Sequence, residues 1–312
     1  MKNFISILSV SIGLLSFYSC DKEENPMYPQ APLCDLIEKY HPNPSSVDCD
    51  NYTLPDFTPS TSTERTIVIE DYTGHFCNNC PDAAVIAHDI ESANPERAFV
   101  LSIHSGGATD PFQYTSSSHP TDFTTQAGLD YTLDIPGFFG NPSGMINRVY
   151  PSGASSLWQF STSWAANAQA ILDDNVLTAN IQVQSTLYPE TGGLFVHYEV
   201  EAIQDLDDNT KIIVLLVERK VVAAQTINNG TTNPDYEHHN VLSGSVNSSY
   251  GDAIGTLASG EKHKGFVING LSEISKNRTV NADGGNDLSI MTLVINGETQ
   301  EIYQVSFDDI IF

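Results

Sequence analysis

From residue 66 onward the apolar positions follow two kinds of pattern. TIVIEDY is a β-branched run that predicts a buried strand. In PDAAVIAHDIESAN, Ala83, Ile86 and Ile90 share one face at helical spacing, and Pro95 marks the end of that helix. RAFVLSIHS, 97–105, predicts a second strand. Strand, helix, strand in this order gives a βαβ unit on a parallel sheet. Residues 106–140 are patterned more weakly, with a helix predicted near 121–131. PSGMINRVY, 142–150, reads as a strand, and SLWQFSTSWAANAQAILDD, 156–174, as a helix whose apolar faces carry Trp158, Phe160, Trp164, Ala168 and Ile171. The character changes near 176. From there to 312 come short alternating runs (ANIQVQSTLY, GLFVHYEVEAI, TKIIVLLVERKVVAAQ, HKGFVINGL, LSIMTLVING, EIYQVSF) separated by turn signals such as PETGG and DLDDN. Several strands at this spacing, without a helix between them, predict an all-β, immunoglobulin-like sandwich.

Before 66 the pattern differs again. One lysine precedes an apolar run that ends at Ser19 and Cys20, which reads as a signal peptide over 1–19. Its end resembles a bacterial lipoprotein signal, in which the cysteine after a small residue receives lipid. That resemblance implies lipidation at Cys20 and a membrane contact through the N-terminal lipid alone. Residues 20–63 are rich in Pro, Ser, Thr, Asn and acidic residues and are expected to form a tether. The expected division is therefore 1–19 signal peptide, 20–63 tether, 64–175 α/β domain and 176–312 β-sandwich domain. Asp and Glu number 39 against 13 Lys and Arg, a net charge of −26. That balance argues against nucleic acid, whose phosphates need a basic surface, and against adhesion to anionic lipid. It serves solubility.

The five cysteines are 20, 34, 49, 77 and 80. With Cys20 carrying lipid, four remain, and outside the cytoplasm thiols pair. Three connectivities are open; Cys34–Cys49 with Cys77–Cys80 is favoured because both closures are local. The first would staple a proline-rich loop, worth up to about 3 kcal/mol by chain entropy. A four-cysteine zinc site is the rival, but it usually takes two short-spaced doublets and only one is present.

That doublet, GHFCNNCPDAA, lies where a strand turns into a helix. A sulfur at a helix N-terminus is favoured as thiolate, and a second cysteine one turn on is placed to resolve a mixed disulfide. Cys77 is thus the expected nucleophile and Cys80 the resolving thiol, with Pro81 tolerated in the first helical turn. His75, when protonated, would favour the Cys77 thiolate. With its flanking strands the doublet resembles the thioredoxin fold. That resemblance implies a cis-proline beside the cysteines, at Pro142 in NPSGMINR or, failing that, Pro136. It also implies a buried acid that relays protons to the resolving cysteine, at Asp71, with Glu70 as substitute. Phe76 and Asn78–Asn79 depart from the thioredoxin pattern.

TIVIEDYTGHFCNNCPDAA, NPSGMINR and DYEHHNVL together resemble the outer-membrane-protein-28 family of bacterial lipoproteins over most of the chain after 64. The resemblance implies a thioredoxin-like domain joined to a β-sandwich, at the outer membrane, with surface exposure as one of the arrangements it allows. Two functions are then expected. In one, the pair exchanges with protein thiols or disulfides. In the other, Cys77–Cys80 is a permanent disulfide in a protein that binds another envelope protein. No cofactor and no metal are expected: His238 and His239 would point to opposite faces of a strand, and the Asp283–Asp287 stretch lacks the calcium-loop pattern.

Overall fold

The computed structural model describes residues 32–105, 110–276 and 287–312. The signal peptide, Cys20 and Asp283 lie outside the described residues. Among the described residues no helix is long and apolar enough to cross a membrane.

The stretch expected to be a tether opens with a helix, α1 (Leu33–Tyr40). A two-turn helix has little stability of its own. Here Ile37 and Tyr40, on one face, pack against Phe195 and Ile268, and the Cys34–Cys49 disulfide closes the segment behind it.

The α/β elements follow: β1 (Ile67–Thr73), α2 (Cys80–Ala93), β2 (Ala98–His104), α3 (Gln126–Asp134), β3 (Ser143–Ile146) and α4 (Ser161–Asp174). β1 pairs in parallel with β2 and antiparallel with β3. It is buried at all seven positions, because both faces of the sheet are covered. Ile67 and Ile69 meet Ala83, Ala87 and Ile90 of α2 and Trp164 of α4. Val68 and Tyr72 face Tyr131 of α3 and Trp158 on the other side. α3 begins later than the sequence pattern indicates, because Asp122 draws the backbone N–H of Thr124 into a turn and Thr125 Oγ1 caps the helix by accepting from Gly128 N–H at 3.0 Å. α4 is shorter than expected at its start: Gln159 bridges to Gly144 of β3, holding that stretch extended.

The remaining elements are β4 (Ala179–Tyr188), β5 (Gly193–Ala202), β6 (Thr210–Thr226), β7 (Thr232–Ser245), β8 (Asp252–Ala253), β9 (Lys262–Gly270), the single turn α5 (Leu271–Ile274), β10 (Leu288–Asn296) and β11 (Ile302–Asp309). One sheet runs β11-β10-β6-β7-β2-β1-β3, with β8 on β6, and the second runs β4-β5-β9. The large sheet crosses the change of character at 176 through the parallel pairing of Ser102 with Val241. The continuous apolar run of β6 has the physical reason expected of a doubly covered strand. Ile212, Val214 and Leu216 face the second sheet, and the alternate residues Ile213, Leu215 and Val217 share a core with Val68, Leu101 and Met145.

Candidate functional site

Cys77 and Cys80 are joined in a disulfide, Cα to Cα 5.4 Å, at the start of α2. Both residues are buried, 2% and 1% exposed. The loop reaches the helix through a tight turn in which Cys77 N–H donates to Gly74 carbonyl at 3.0 Å. Gly74 is required there: a Cβ would stand 2.7 Å from both Phe112 and Gln113.

Strand alternation decides which neighbouring carboxyl meets the disulfide. Glu70 falls on the α3 face, where the Arg148 guanidinium holds it: Nη2 donates to Oε1 at 2.8 Å and Nε to Oε2 at 3.0 Å, with both side chains fully buried. Arg148 also lies over the Tyr131 ring, 4.5 Å from its centroid. Glu70 is therefore committed and does not substitute for Asp71. Asp71 falls on the α2 face and lines the same cavity as Cys80. It is 1% exposed, and its Oδ1 has no hydrogen-bond partner among the described residues. Burial pushes its carboxyl up to about 7. A carboxyl so placed gives and takes a proton near neutral pH.

The cavity, about 350 Å3, runs between α2 and β7. Asp71, Cys80, Ser102 and His104 line it together with Tyr236 and His238, and His88 and His239 are also on its wall. Cys77 is not among the lining residues. The far ends of β6 and β7 form an arm that walls this cavity with Gln225, Tyr236 and Glu237 and ties down the cysteine loop. Gln225 Nε2 donates to Cys77 carbonyl at 3.0 Å and to Gly74 carbonyl at 3.2 Å. Thr226 N–H donates to His75 carbonyl at 2.8 Å. Asn228, at the tip, donates to both carboxylate oxygens of Asp82 in the first turn of α2, at 2.8 and 2.7 Å.

Residues 134–309 match the family described as outer membrane protein Omp28, more than half of the 312 residues. The chain belongs to the Omp28 family. It is accordingly an outer-membrane protein of the cell envelope. Among solved structures, HBP35 of Porphyromonas gingivalis is similar in fold, with TM-score 0.56 and 17% identity over 80% of this chain and 77% of that one. A protein from Agrobacterium tumefaciens has TM-score 0.45 and 12% identity over 80% of this chain and 96% of its own. A domain of the outer membrane lipoprotein Omp28 from Porphyromonas gingivalis has TM-score 0.28 and 17% identity over 44% of this chain and 90% of that one. No curated protein matches the chain.

The other residues expected to act in this Omp28-family chain are placed as follows. The Asn141–Pro142 peptide bond is cis and Pro136 is not cis. Pro142 immediately precedes β3, whose Ser143 pairs with Tyr72, so it stands at the level where β1 gives way to the cysteine loop. Asn141 Nδ2 ties that junction to Thr73 carbonyl at 3.0 Å. His75 is 1% exposed, donates from Nε2 to Tyr114 carbonyl at 2.9 Å and packs among Phe76, His119 and Phe123. Burial pushes its pKa down, so it is neutral at physiological pH and is not the cation expected beside Cys77. His238 is buried against Phe123 and Tyr236 while His239 is exposed, the alternation of a strand. The four cysteines Cys34, Cys49, Cys77 and Cys80 are all in disulfides, which leaves no thiolates for the rival zinc site. Cys34, Cys49 and Asp50 are the one metal-like grouping among the described residues, and its two sulfurs are bonded to each other. Gln225 and Asn228 were not legible as site residues. Gln225 lies at the end of the β6 strand run and Asn228 in the turn after it, and only the tertiary fold brings Gln225 to a loop 148 residues earlier.

Proposed function

We propose that this outer-membrane protein is a lipid-anchored envelope protein, attached through Cys20, whose Cys77–Cys80 pair undergoes thiol–disulfide exchange. The β1-α2-β2 unit with β3 is read as a thioredoxin-like domain over 64–175, and the strands after 176 as an immunoglobulin-like sandwich. The observation that carries the reading is Asp71, a buried carboxyl whose Oδ1 has no hydrogen-bond partner among the described residues, on one cavity with Cys80. A permanent disulfide has no use for an ionisable group beneath it, and an unpaired buried carboxyl lowers stability. A dithiol needs a proton donor and acceptor each time its bond opens or closes. Asp71 protonates the Cys80 thiolate on reduction and takes the proton back on oxidation. The thiols exchanged belong to proteins or small molecules of the envelope.

A second reading has its own support. Both cysteines are buried and the arm carrying Gln225 and Asn228 covers their loop, as suits a permanent disulfide in a binding or assembly protein. Reduction of the folded protein with dithiothreitol separates the two. Exchange predicts that Cys77–Cys80 opens about tenfold or more faster than Cys34–Cys49 and recloses with oxidised glutathione, the fold intact throughout. Opening that occurs only together with unfolding would establish the permanent disulfide instead.

A further inference from the structure

The two sulfurs of the pair do not have the same surroundings. The cysteine loop is tied down by this chain's own arm: Gln225 holds the carbonyls of Cys77 and Gly74, Thr226 holds that of His75, and Asn228 is fixed bidentately to Asp82. Cys77 itself is 2% exposed and does not line the cavity, so a protein partner has no open surface from which to bring a thiol to it. Cys80, though only 1% exposed, lines the cavity, and at about 350 Å3 that space suits a small molecule rather than a polypeptide. Its rim is built from the outer face of α2 and from β7. His88 and His239 face each other there with nearly parallel rings, centroids 6.2 Å apart. Asp89 and Glu91 add carboxyl groups to the α2 side, and Glu237 on the β7 side is paired with Lys220. The rim is thus acidic, on a chain whose net charge is already −26.

From this asymmetry we infer that the cavity admits a low-molecular-weight, non-anionic thiol to Cys80, and that protein thiols are excluded from the pair. The inference rests on the exchange reading and names its substrate class. The sulfur entered is the reverse of the order expected from sequence, in which Cys77 is the nucleophile and Cys80 the resolving thiol. In the reaction a small thiolate forms a bond to Cys80 Sγ, the Cys77–Cys80 bond breaks, and Cys77 leaves as thiolate. A second molecule of the same thiol attacks the outer sulfur of the mixed disulfide. It releases the small disulfide, and Cys80 leaves as thiolate and takes its proton from Asp71. Two thiols lose two electrons and the protein disulfide gains them.

The test uses the full oxidised chain, with Cys34–Cys49 as internal comparator. Opening of Cys77–Cys80 is followed by acid quench, maleimide labelling and peptide mass. The reductants are cationic cysteamine, neutral 2-mercaptoethanol, anionic 2-mercaptoethanesulfonate and a reduced protein dithiol, with rates compared per thiolate. Cysteamine is expected to react fastest. Its advantage over the sulfonate is about tenfold at low ionic strength and shrinks as salt is added. The protein dithiol is expected to be slowest. Ala84→Trp fills the cavity from its half-buried wall and is expected to slow the small thiols about tenfold while leaving the melting temperature in place. Cystamine should modify Cys80 in Cys77→Ser and leave Cys77 unmodified in Cys80→Ser. Fastest opening by the protein dithiol, or an adduct on Cys77, would overturn the inference and leave exchange itself standing. If no reductant opens the pair in the folded protein, the exchange reading falls and this one with it.

Discussion

Asp71→Asn is expected to stabilise the folded protein at pH 8 and to slow full reduction of the Cys77–Cys80 disulfide. The stability part follows from linkage. Burial raises the Asp71 carboxyl from its ordinary 3.8 to about 7. Between those values the folded state keeps the proton that the unfolded state has released. Stability from this group is therefore greatest below about pH 4, falls as pH rises through the interval, and is lowest above pH 7, where the fold must hold a buried carboxylate. The full difference is up to about 4 kcal/mol. Asparagine cannot ionise, so the variant's stability should be flat across that interval and higher than the parent's at pH 8, as read from denaturant midpoints at several pH values. The kinetic part follows from the role of the proton. Without a donor beside Cys80, the second step, in which Cys80 leaves as thiolate and the small disulfide is released, should slow by about a hundredfold at neutral pH. The two readouts together are diagnostic: a gain in stability with unchanged exchange would make Asp71 a relic of packing rather than a proton carrier.

Glu70→Ala should be among the most damaging single substitutions in the chain. It leaves the Arg148 guanidinium fully buried beside the Tyr131 ring with its carboxylate partner gone. Removing one member of a buried pair costs about 3–5 kcal/mol, a large part of the stability of an ordinary domain. Gln300 Oε1, which accepts from Arg148 Nη1 at 3.3 Å, supplies no charge in its place. The double change Glu70→Leu with Arg148→Met should recover most of the loss, because an apolar pair avoids the desolvation that the ions suffer. Chemical unfolding of the three variants measures this directly. A loss below about 1 kcal/mol for Glu70→Ala would mean that solvent reaches Arg148.

Much of this arrangement was legible locally. The strand before the doublet, the helix after it and the next strand declare themselves by period, and the local pairing of the four cysteines is the one found. Asp71 is the position the resemblance to the thioredoxin fold implies for a buried acid. Its difference from Glu70 needed the strand's alternation together with the knowledge that both faces are covered, since only then does the opposite face require a partner such as Arg148. The failures share one cause. α1 sits between prolines in a polar stretch and is stable only through Phe195 and Ile268, more than a hundred residues away in sequence. The arm over the cysteine loop is the end of a strand run and its turn, and nothing local in Gln225 or Asn228 announces what they hold. His75 looked like a solvated loop residue able to carry charge. The segment from Tyr114 to Phe123 buries it and keeps it neutral.

The equilibrium reduction potential of Cys77–Cys80, measured on the folded protein against dithiothreitol and glutathione buffers, tests the exchange reading most directly. The account predicts a value within the range of working dithiol proteins, about −270 to −120 mV. A value below about −300 mV, where inert structural disulfides lie, would contradict it.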